Sequence, residues 1–219
     1  VLELGAGRGS ASLYLSQKFP DVEFYDVDAC PAQLEVAKAR SSEHENVSII
    51  KGDFHNLSKL SDESFDFVFM IETLCHSDRT EQVLAEIMRV LRPGGIFVCN
   101  DAYYINPPES LSEQNRKMGK LIEVGMAIPQ FNVYKRFLEQ SRNVGFKLVY
   151  DEDNSSQIMP SLYKIELLAR GFFKFTWLAR LAKQFFSPKM IYNAISGYLM
   201  ALSIERGVAT YRRTVLKKV

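Results

Sequence analysis

The sequence predicts an α/β fold built on a doubly wound, mostly parallel sheet, and three observations carry that prediction. Val1-Leu2-Glu3-Leu4 is a short buried-strand run that passes directly into Gly5-Ala6-Gly7-Arg8-Gly9. Two more β-rich runs, Val22–Asp28 and Val47–Asp53, each finish on a carboxylate. Strand and helix patterns then alternate as far as residue 101, as a chain of βαβ units requires.

The elements follow in order. Residues 1–5 form a strand that the glycines end, and 9–18 a helix whose first N–H groups lie free beside the turn. A strand at 22–27 leads into Pro31, which suits the first turn of a helix at 31–41. Strands follow at 47–51 and at 65–71, where Phe65-Asp66-Phe67-Val68-Phe69-Met70-Ile71 is almost wholly apolar. A helix at 80–91 stops at Arg92-Pro93-Gly94-Gly95, because proline and glycine cannot continue the ladder, and a strand at 95–101 comes next. A helix at 131–143 runs through Gly145 into a strand at Phe146–Asp151, and Val208–Leu216 makes a last strand. The segment between, residues 154–206, is too long for a simple connection and reads as an inserted helical cap. One domain is expected, with a core at 1–153, the cap at 154–206 and the last strand at 207–219. The first residue is Val1, inside a strand, so a preceding segment is expected.

The 219 residues include 27 Lys plus Arg against 26 Asp plus Glu, so no overall field draws the chain to nucleic acid. Cys30, Cys75 and Cys99 are odd in number and lack C-x-x-C spacing, which argues against disulfides or a zinc site and for a reducing, cytoplasmic setting. No metal ligand set is expected, and no apolar run is long enough to span a bilayer.

The glycine run admits a nucleotide. Gly5, Gly7 and Gly9 remove the Cβ atoms that would keep a ligand from the backbone. A dinucleotide fingerprint, G-x-G-x-x-G, needs glycine at position 10, which is Ser10, so a nicotinamide-dependent oxidoreductase is the weaker reading. Asp28, at a strand end, can accept two hydrogen bonds from a ribose diol. Asp26, two residues earlier on the same face, is the competing candidate. Asp53 can accept from an adenine amino group with Phe54 against the ring, or can simply cap a turn.

Glu3 followed by G-x-G-x-G resembles motif I of the class I S-adenosylmethionine (SAM) methyltransferases, and Glu86–Gly95 is similar to another of their recognisable segments. The resemblance covers residues 1 to about 101. It implies a Rossmann-like sheet of seven strands, SAM as cofactor and S-adenosylhomocysteine (SAH) as product. It further implies a cofactor site formed by Glu3, Gly5, Ala6, Gly7, Asp28, Ala29, Gln33, Asp53, Phe54 and Ile71.

Methyl transfer from SAM is an in-line displacement, so the protein must position the acceptor, exclude water and handle a proton. The proton-handling groups belong at the end of the strand at 65–71, where Glu72 and His76 follow, four residues apart. Glu72 is expected to act as a base or to stabilise positive charge, and His76 to relay the proton. Plainer roles are a helix-terminal charge and a packing histidine. Ile71-Glu72-Thr73-Leu74 does not match the Asn/Asp-Pro-Pro-aromatic signature of DNA amino-methyltransferases, and Asn106-Pro107-Pro108-Glu109 lies after the wrong strand. The stretch Ile71–His76 instead looks like that of sterol C-methyltransferases and related lipid and polyketide enzymes. That resemblance implies a small, largely apolar acceptor, methylated on carbon in preference to oxygen.

The cap mixes aromatic and aliphatic residues with Lys164, Arg170, Lys174, Arg180 and Lys183. Tyr163, Phe172 and Tyr198, with Tyr103 and Tyr104 after the fifth strand, are expected to line the acceptor pocket. Packing on the domain and peripheral contact with anionic lipid are competing uses of the cap. A non-catalytic SAM- or lipid-binding module is the alternative from another class.

Overall fold

Three residues, Leu2–Leu4, make β1, and all three are buried, as a strand covered on both faces requires. The structure is a computed structural model and describes residues 1–174 and 188–219. The chain continues through α1 (Ser10–Lys18), β2 (Phe24–Asp28), α2 (Pro31–Ser41), β3 (Val47–Lys51), β4 (Phe65–Ile71) and α3 (Thr80–Val90). It then forms β5 (Leu91–Tyr104), α4 (Glu113–Met126), α5 (Tyr134–Val144), β6 (Phe146–Asp153), α6 (Ser155–Lys174), α7 (Pro188–Glu205) and β7 (Ala209–Lys218).

The seven strands lie in the order β3-β2-β1-β4-β5-β7-β6. All neighbours are parallel except β7, which runs antiparallel to both β5 and β6. The order reverses at β1 and β4, and a doubly wound sheet binds its ligands beyond the strand ends at such a switch point.

One face of the sheet buries Leu2, Leu4, Val68, Met70 and Phe97 against Val83, Leu84, Ile87 and Val90 of α3 and Phe137 of α5. The spacing of those α3 residues puts them on one stripe, and burying each side chain stabilises the fold by about 1.5–3 kcal/mol. On the other face, α1 lies over β1 and β2. Farther along that face Phe67, Ile71 and Val98, bordered by Tyr14, form an apolar surface, with Ile71 40% and Tyr14 62% exposed.

Two elements depart from the sequence expectation. β5 starts at Leu91 rather than at residue 95, because Leu91 already pairs with Phe65 before the register slips to Phe67 opposite Ile96. Arg92-Pro93-Gly94-Gly95 is therefore a bulge carried within the strand, pinned by Arg92 Nη1 on Asp66 Oδ2 at 2.6 Å. The second departure is α4, a helix with no counterpart in the sequence expectation. It starts on Ser112, whose Oγ accepts the Asn115 N–H, and it packs along α7. Gly125 permits that approach, since a Cβ there would stand 2.3 Å from the Tyr192 carbonyl oxygen. Between β6 and β7 the chain forms α6 and α7, where the cap was expected; Phe175, Trp177, Leu178, Arg180, Leu181 and Lys183 fall outside the described residues.

Candidate active site

The turn after β1 is held open by backbone conformations that favour glycine. Gly5, Gly7 and Gly9 all have positive φ, at 68°, 57° and 69°. Gly5 and Ala6 donate to the Val27 carbonyl, fastening the turn across the end of β2. A Cβ at Gly5 would stand 2.1 Å from Thr73 Cγ2, whereas one at Gly7 would meet nothing within 4 Å. The turn thus packs tightly on one side and opens to a ligand on the other.

Asp28 organises the open side. Its Oδ2 accepts the Gly7 N–H at 2.8 Å and its Oδ1 the Cys30 N–H at 2.7 Å. Each oxygen keeps a lone pair for a vicinal diol. Gln33 Oε1 receives Arg8 Nε at 3.3 Å, so the start of α2 borders the same turn. At the end of β3, Asp53 Oδ1 accepts the His55 N–H, and the His55 ring bridges Asp53 to Ser77 Oγ at 2.7 and 2.8 Å. Phe54 is part-buried against the core and packs on the His55 ring at 4.6 Å.

Two carboxylates lie beneath the turn. Glu3 and Asp26 are register partners on β1 and β2, 5% and 1% exposed. Glu3 Oε2 accepts both the N–H and the hydroxyl of Ser12, so its carboxylate is engaged with the first turn of α1. Neither oxygen of Asp26 has a hydrogen-bond partner of good geometry; the Ser12 hydroxyl near it donates to Glu3 and lowers the Asp26 carboxyl only in small part. Burial pushes Glu3 up to about 7, with the Asp26 charge adding to it, and pushes Asp26 up to about 6. The alternation that puts Asp26 on the Asp28 face sets it under α1, away from the open side of the turn.

A second feature adjoins the first through Thr73, whose Oγ1 donates to the Gly5 carbonyl at 3.3 Å and the Ile71 carbonyl at 3.0 Å. Glu72, the residue between, has φ 52° while its N–H still bonds the Asn100 carbonyl. A non-glycine residue in that region carries roughly 1–3 kcal/mol of strain. Asp101 shapes the turn, accepting the N–H groups of Thr73, Cys75 and Ala102. Burial raises the Asp101 carboxyl to about 6 against those bonds.

Glu72 opens on a cavity of about 320 Å³ whose other walls are mostly apolar. Tyr104, Ile122, Met126 and Phe131 form one side, and Ile158, Leu162, Ile165 and Met200 the other. Burial and the Asp101 charge push the Cys75 thiol far above its ordinary range, so it is a neutral piece of wall.

Several expected residues are not brought to this cavity. Tyr103 is 1% exposed and packs into the main core on Tyr134 and Phe137, because adjacent strand residues face opposite ways and Tyr104 takes the cavity side. Tyr163 and Tyr198 line a separate groove on the outside of α6 and α7, with Arg170 over the Tyr198 ring. Phe172 packs on Phe173 and is not among the lining residues. The cavity stripe of α6 is Ile158, Leu162 and Ile165, at helical spacing, and Tyr163 falls off it. His76 is exposed and does not line the cavity. Ile71, expected beside the cofactor, ends β4 and lines the apolar surface that Phe67, Val98 and Tyr14 share. Asp101, Tyr211 and the α4 residues were missed. Their signal was weak: an acid at a strand end, and a helix whose buried stripe contains glycine and glutamate.

Comparison with known proteins follows the same division. Residues 2–99 match the family model for a methyltransferase domain. The sterol 24-C-methyltransferase of Candida albicans is 32% identical over 156 residues, covering 70% of this chain and 41% of that protein. That of Aspergillus fumigatus is 35% identical over 162 residues, with coverage of 70% and 41%. The chain therefore spans about two fifths of the length of these curated relatives. Among solved structures, geranyl diphosphate C-methyltransferase from Streptomyces coelicolor, in complex with Mg2+, geranyl diphosphate and SAH, superposes with a TM-score of 0.74 at 15% identity, covering 100% of this chain and 72% of that one. Phosphoethanolamine N-methyltransferase 2 of Haemonchus contortus, in complex with SAM, gives 0.71 at 22% identity, with 99% and 48% covered. The fold, the open glycine turn with its Asp28 anchor and the relatives agree: residues 2–99 form a methyltransferase domain of the kind that uses SAM, and the chain is similar to sterol 24-C-methyltransferases over 70% of its length.

Proposed function

We propose that the protein transfers a methyl group from SAM to a carbon atom of a small, largely apolar acceptor. The observation that carries this reading is the largely apolar cavity with the Glu72 carboxylate in its lining, one residue from the Thr73 side chain that packs on the glycine turn. When bound, SAM supplies an electrophilic methyl group on a sulfonium sulfur. The glycine turn and Asp28 hold the nucleoside end, with Asp53 and Phe54 flanking the adenine. The aliphatic stripes of α6 and α7 exclude water, so that charge interactions inside the cavity are stronger than in bulk solvent. As an alkene carbon forms its new bond, positive charge develops on the neighbouring carbon, and Glu72 stabilises it and accepts the proton then released.

Carbon is preferred to oxygen because the relatives are named for transfer to a sterol carbon and because four wall hydroxyls are already committed, Tyr104 to Glu123, Ser203 to the Met200 carbonyl, Thr210 to Asp153 and Tyr211 to Glu72. Leu167 and Leu168 of α6 are 70% and 75% exposed near Arg170, a surface suited to peripheral contact with the membrane that holds such acceptors. No helix among the described residues is long and apolar enough to cross a membrane.

The test is transfer of labelled methyl from SAM to desmosterol, a sterol with a side-chain alkene, and to geranyl diphosphate. Turnover of either, reduced roughly 100-fold or more in Glu72→Gln with SAH affinity retained, supports the reading. Full activity in Glu72→Gln would refute the role of Glu72. SAH binding without transfer to these probes or to any lipid extract would favour a non-catalytic module.

A further inference from the structure

We propose that Tyr211 is the positioning residue for the Glu72 carboxylate and couples it to the root of the cap. This rests on the reading of Glu72 as the group that faces the acceptor. Glu72 and Tyr211 are 139 positions apart and meet because β7 returns antiparallel beside β5, with Tyr211 opposite Ala102. The phenol donates to Glu72 Oε1 at 3.3 Å, and both residues line the cavity. Among the described residues, no other side chain is hydrogen-bonded to Glu72.

The donor has a fixed sense. Burial, then the charges of Glu72 and Asp101, drive the Tyr211 phenol well above its ordinary range, so it keeps its proton and donates. The acceptor needs this help, because Glu72 sits at the strained φ of 52° and the phenol is the contact that fixes its carboxylate end. A carboxylate that swings away from the acceptor by about 1 Å loses rate without losing its charge.

The backbone of Tyr211 is committed to the cap. Its N–H donates to Ser155 Oγ at 2.9 Å, and its carbonyl accepts the Asn154 N–H at 2.8 Å. Ser155 is the first residue of α6, the helix that supplies Ile158, Leu162 and Ile165 to the cavity. One residue therefore fixes both the start of the wall and the carboxylate in the lining. A shift of α6 at its root is felt at Glu72.

Tyr211→Phe keeps the ring as wall and removes only the donor. In the full chain, kcat on whichever probe is turned over should fall roughly 10- to 100-fold, with KM and SAH affinity within about twofold. On a Glu72→Gln background the same change should cost nothing further, because the group it positions is already gone. A plain wall role would raise KM, or would multiply with Glu72→Gln, and either result overturns the proposal. A second readout needs no turnover: the Tyr211 Cζ carbon-13 resonance, assigned by its loss in Tyr211→Phe, should shift in Glu72→Gln. An unchanged resonance overturns the proposal whatever the probes do. Failure of SAH binding, or full activity of Glu72→Gln alone, would instead sink the reading of the site, and the resonance would still judge the pair.

Discussion

Replacing Asp26 with asparagine should stabilise the protein at neutral pH, the reverse of the usual effect of altering a buried polar residue. Asp26 is 1% exposed, and neither carboxyl oxygen has a hydrogen-bond partner of good geometry. Burial raises its carboxyl from 3.8 to about 6, so the folded state holds the proton more tightly than the unfolded chain does. The stability this gives is fully present below the unfolded value and is lost as pH rises through about 6. A shift of about two units corresponds to about 3 kcal/mol lost between about pH 4 and pH 7. Asparagine cannot ionise and escapes that loss, although its unpaired amide costs about 1–2 kcal/mol at every pH. The net gain at pH 7.5 is therefore about 1–2 kcal/mol. Urea unfolding of both proteins at pH 4 and pH 7.5 measures it, and the stability difference between them should swing by about 2–3 kcal/mol in favour of the variant. Glu3 is raised to about 7 in part by the Asp26 charge, so removing that charge lowers the Glu3 carboxyl as well and adds to the swing in favour of the variant. A difference that is the same at both pH values would refute the account, because it would mean that Asp26 bears its charge at no cost.

Gly5→Ala places a Cβ 2.1 Å from the Thr73 side chain at φ 68°, so SAH affinity should fall at least tenfold by calorimetry; an unchanged affinity would remove the turn from the cofactor site. Asp28→Ala frees the Gly7 and Cys30 N–H groups and should weaken SAH binding roughly 10- to 100-fold, far more than Asp26→Ala does, and equal losses would assign the ribose contact wrongly. Gly125→Ala drives a methyl group to 2.3 Å from the Tyr192 carbonyl, separating α4 from α7. It should cost about 1–3 kcal/mol, or about 3–10 °C in Tm by calorimetry, and a Tm unchanged within a degree would mean the helices are less closely packed than described.

The legible parts of the chain are those whose signals are local. Pro31 at the first turn of α2, the apolar run of β4 interrupted only by Asp66 and the β-branched β3 each declare themselves within a few residues, and their limits agree with the expectation. α4 does not, because its buried face holds Met118, Gly119, Ile122 and Glu123, a stripe with too little apolar content to read as periodic. Glu123 is tolerated there because Tyr104 Oη and the Phe131 N–H both donate to its Oε1, partners supplied from other segments. The cap failed differently. Both of its sides are apolar enough to be the inner one, and aromatic size favoured Tyr163 and Tyr198. The folded protein turns the aliphatic stripe inward and leaves those tyrosines on the outer groove, where Tyr163 reaches Glu205 and Tyr198 receives Arg170.

This division bears on what kinship tells about the acceptor. The family match spans residues 2–99, which contain the glycine turn, Asp28, Asp53 and, of the cavity lining, only Glu72 and Cys75. Every other lining residue, from Asp101 to Tyr211, comes from β5 onward, and most come from α4, α6 and α7. The glycine turn and Glu72, which the proposed function assigns to the cofactor and to the reacting carboxylate, thus lie in the part a family model matches. The walls that select the acceptor lie in segments whose packing depends on fitted contacts such as Gly125 on Tyr192 and Gly119 under the Tyr104 hydroxyl. Changes at those contacts would alter the cavity while leaving the turn after β1 in place. The acceptor of this protein is therefore to be read from the dimensions and chemistry of its own cavity, and its cofactor from its kin.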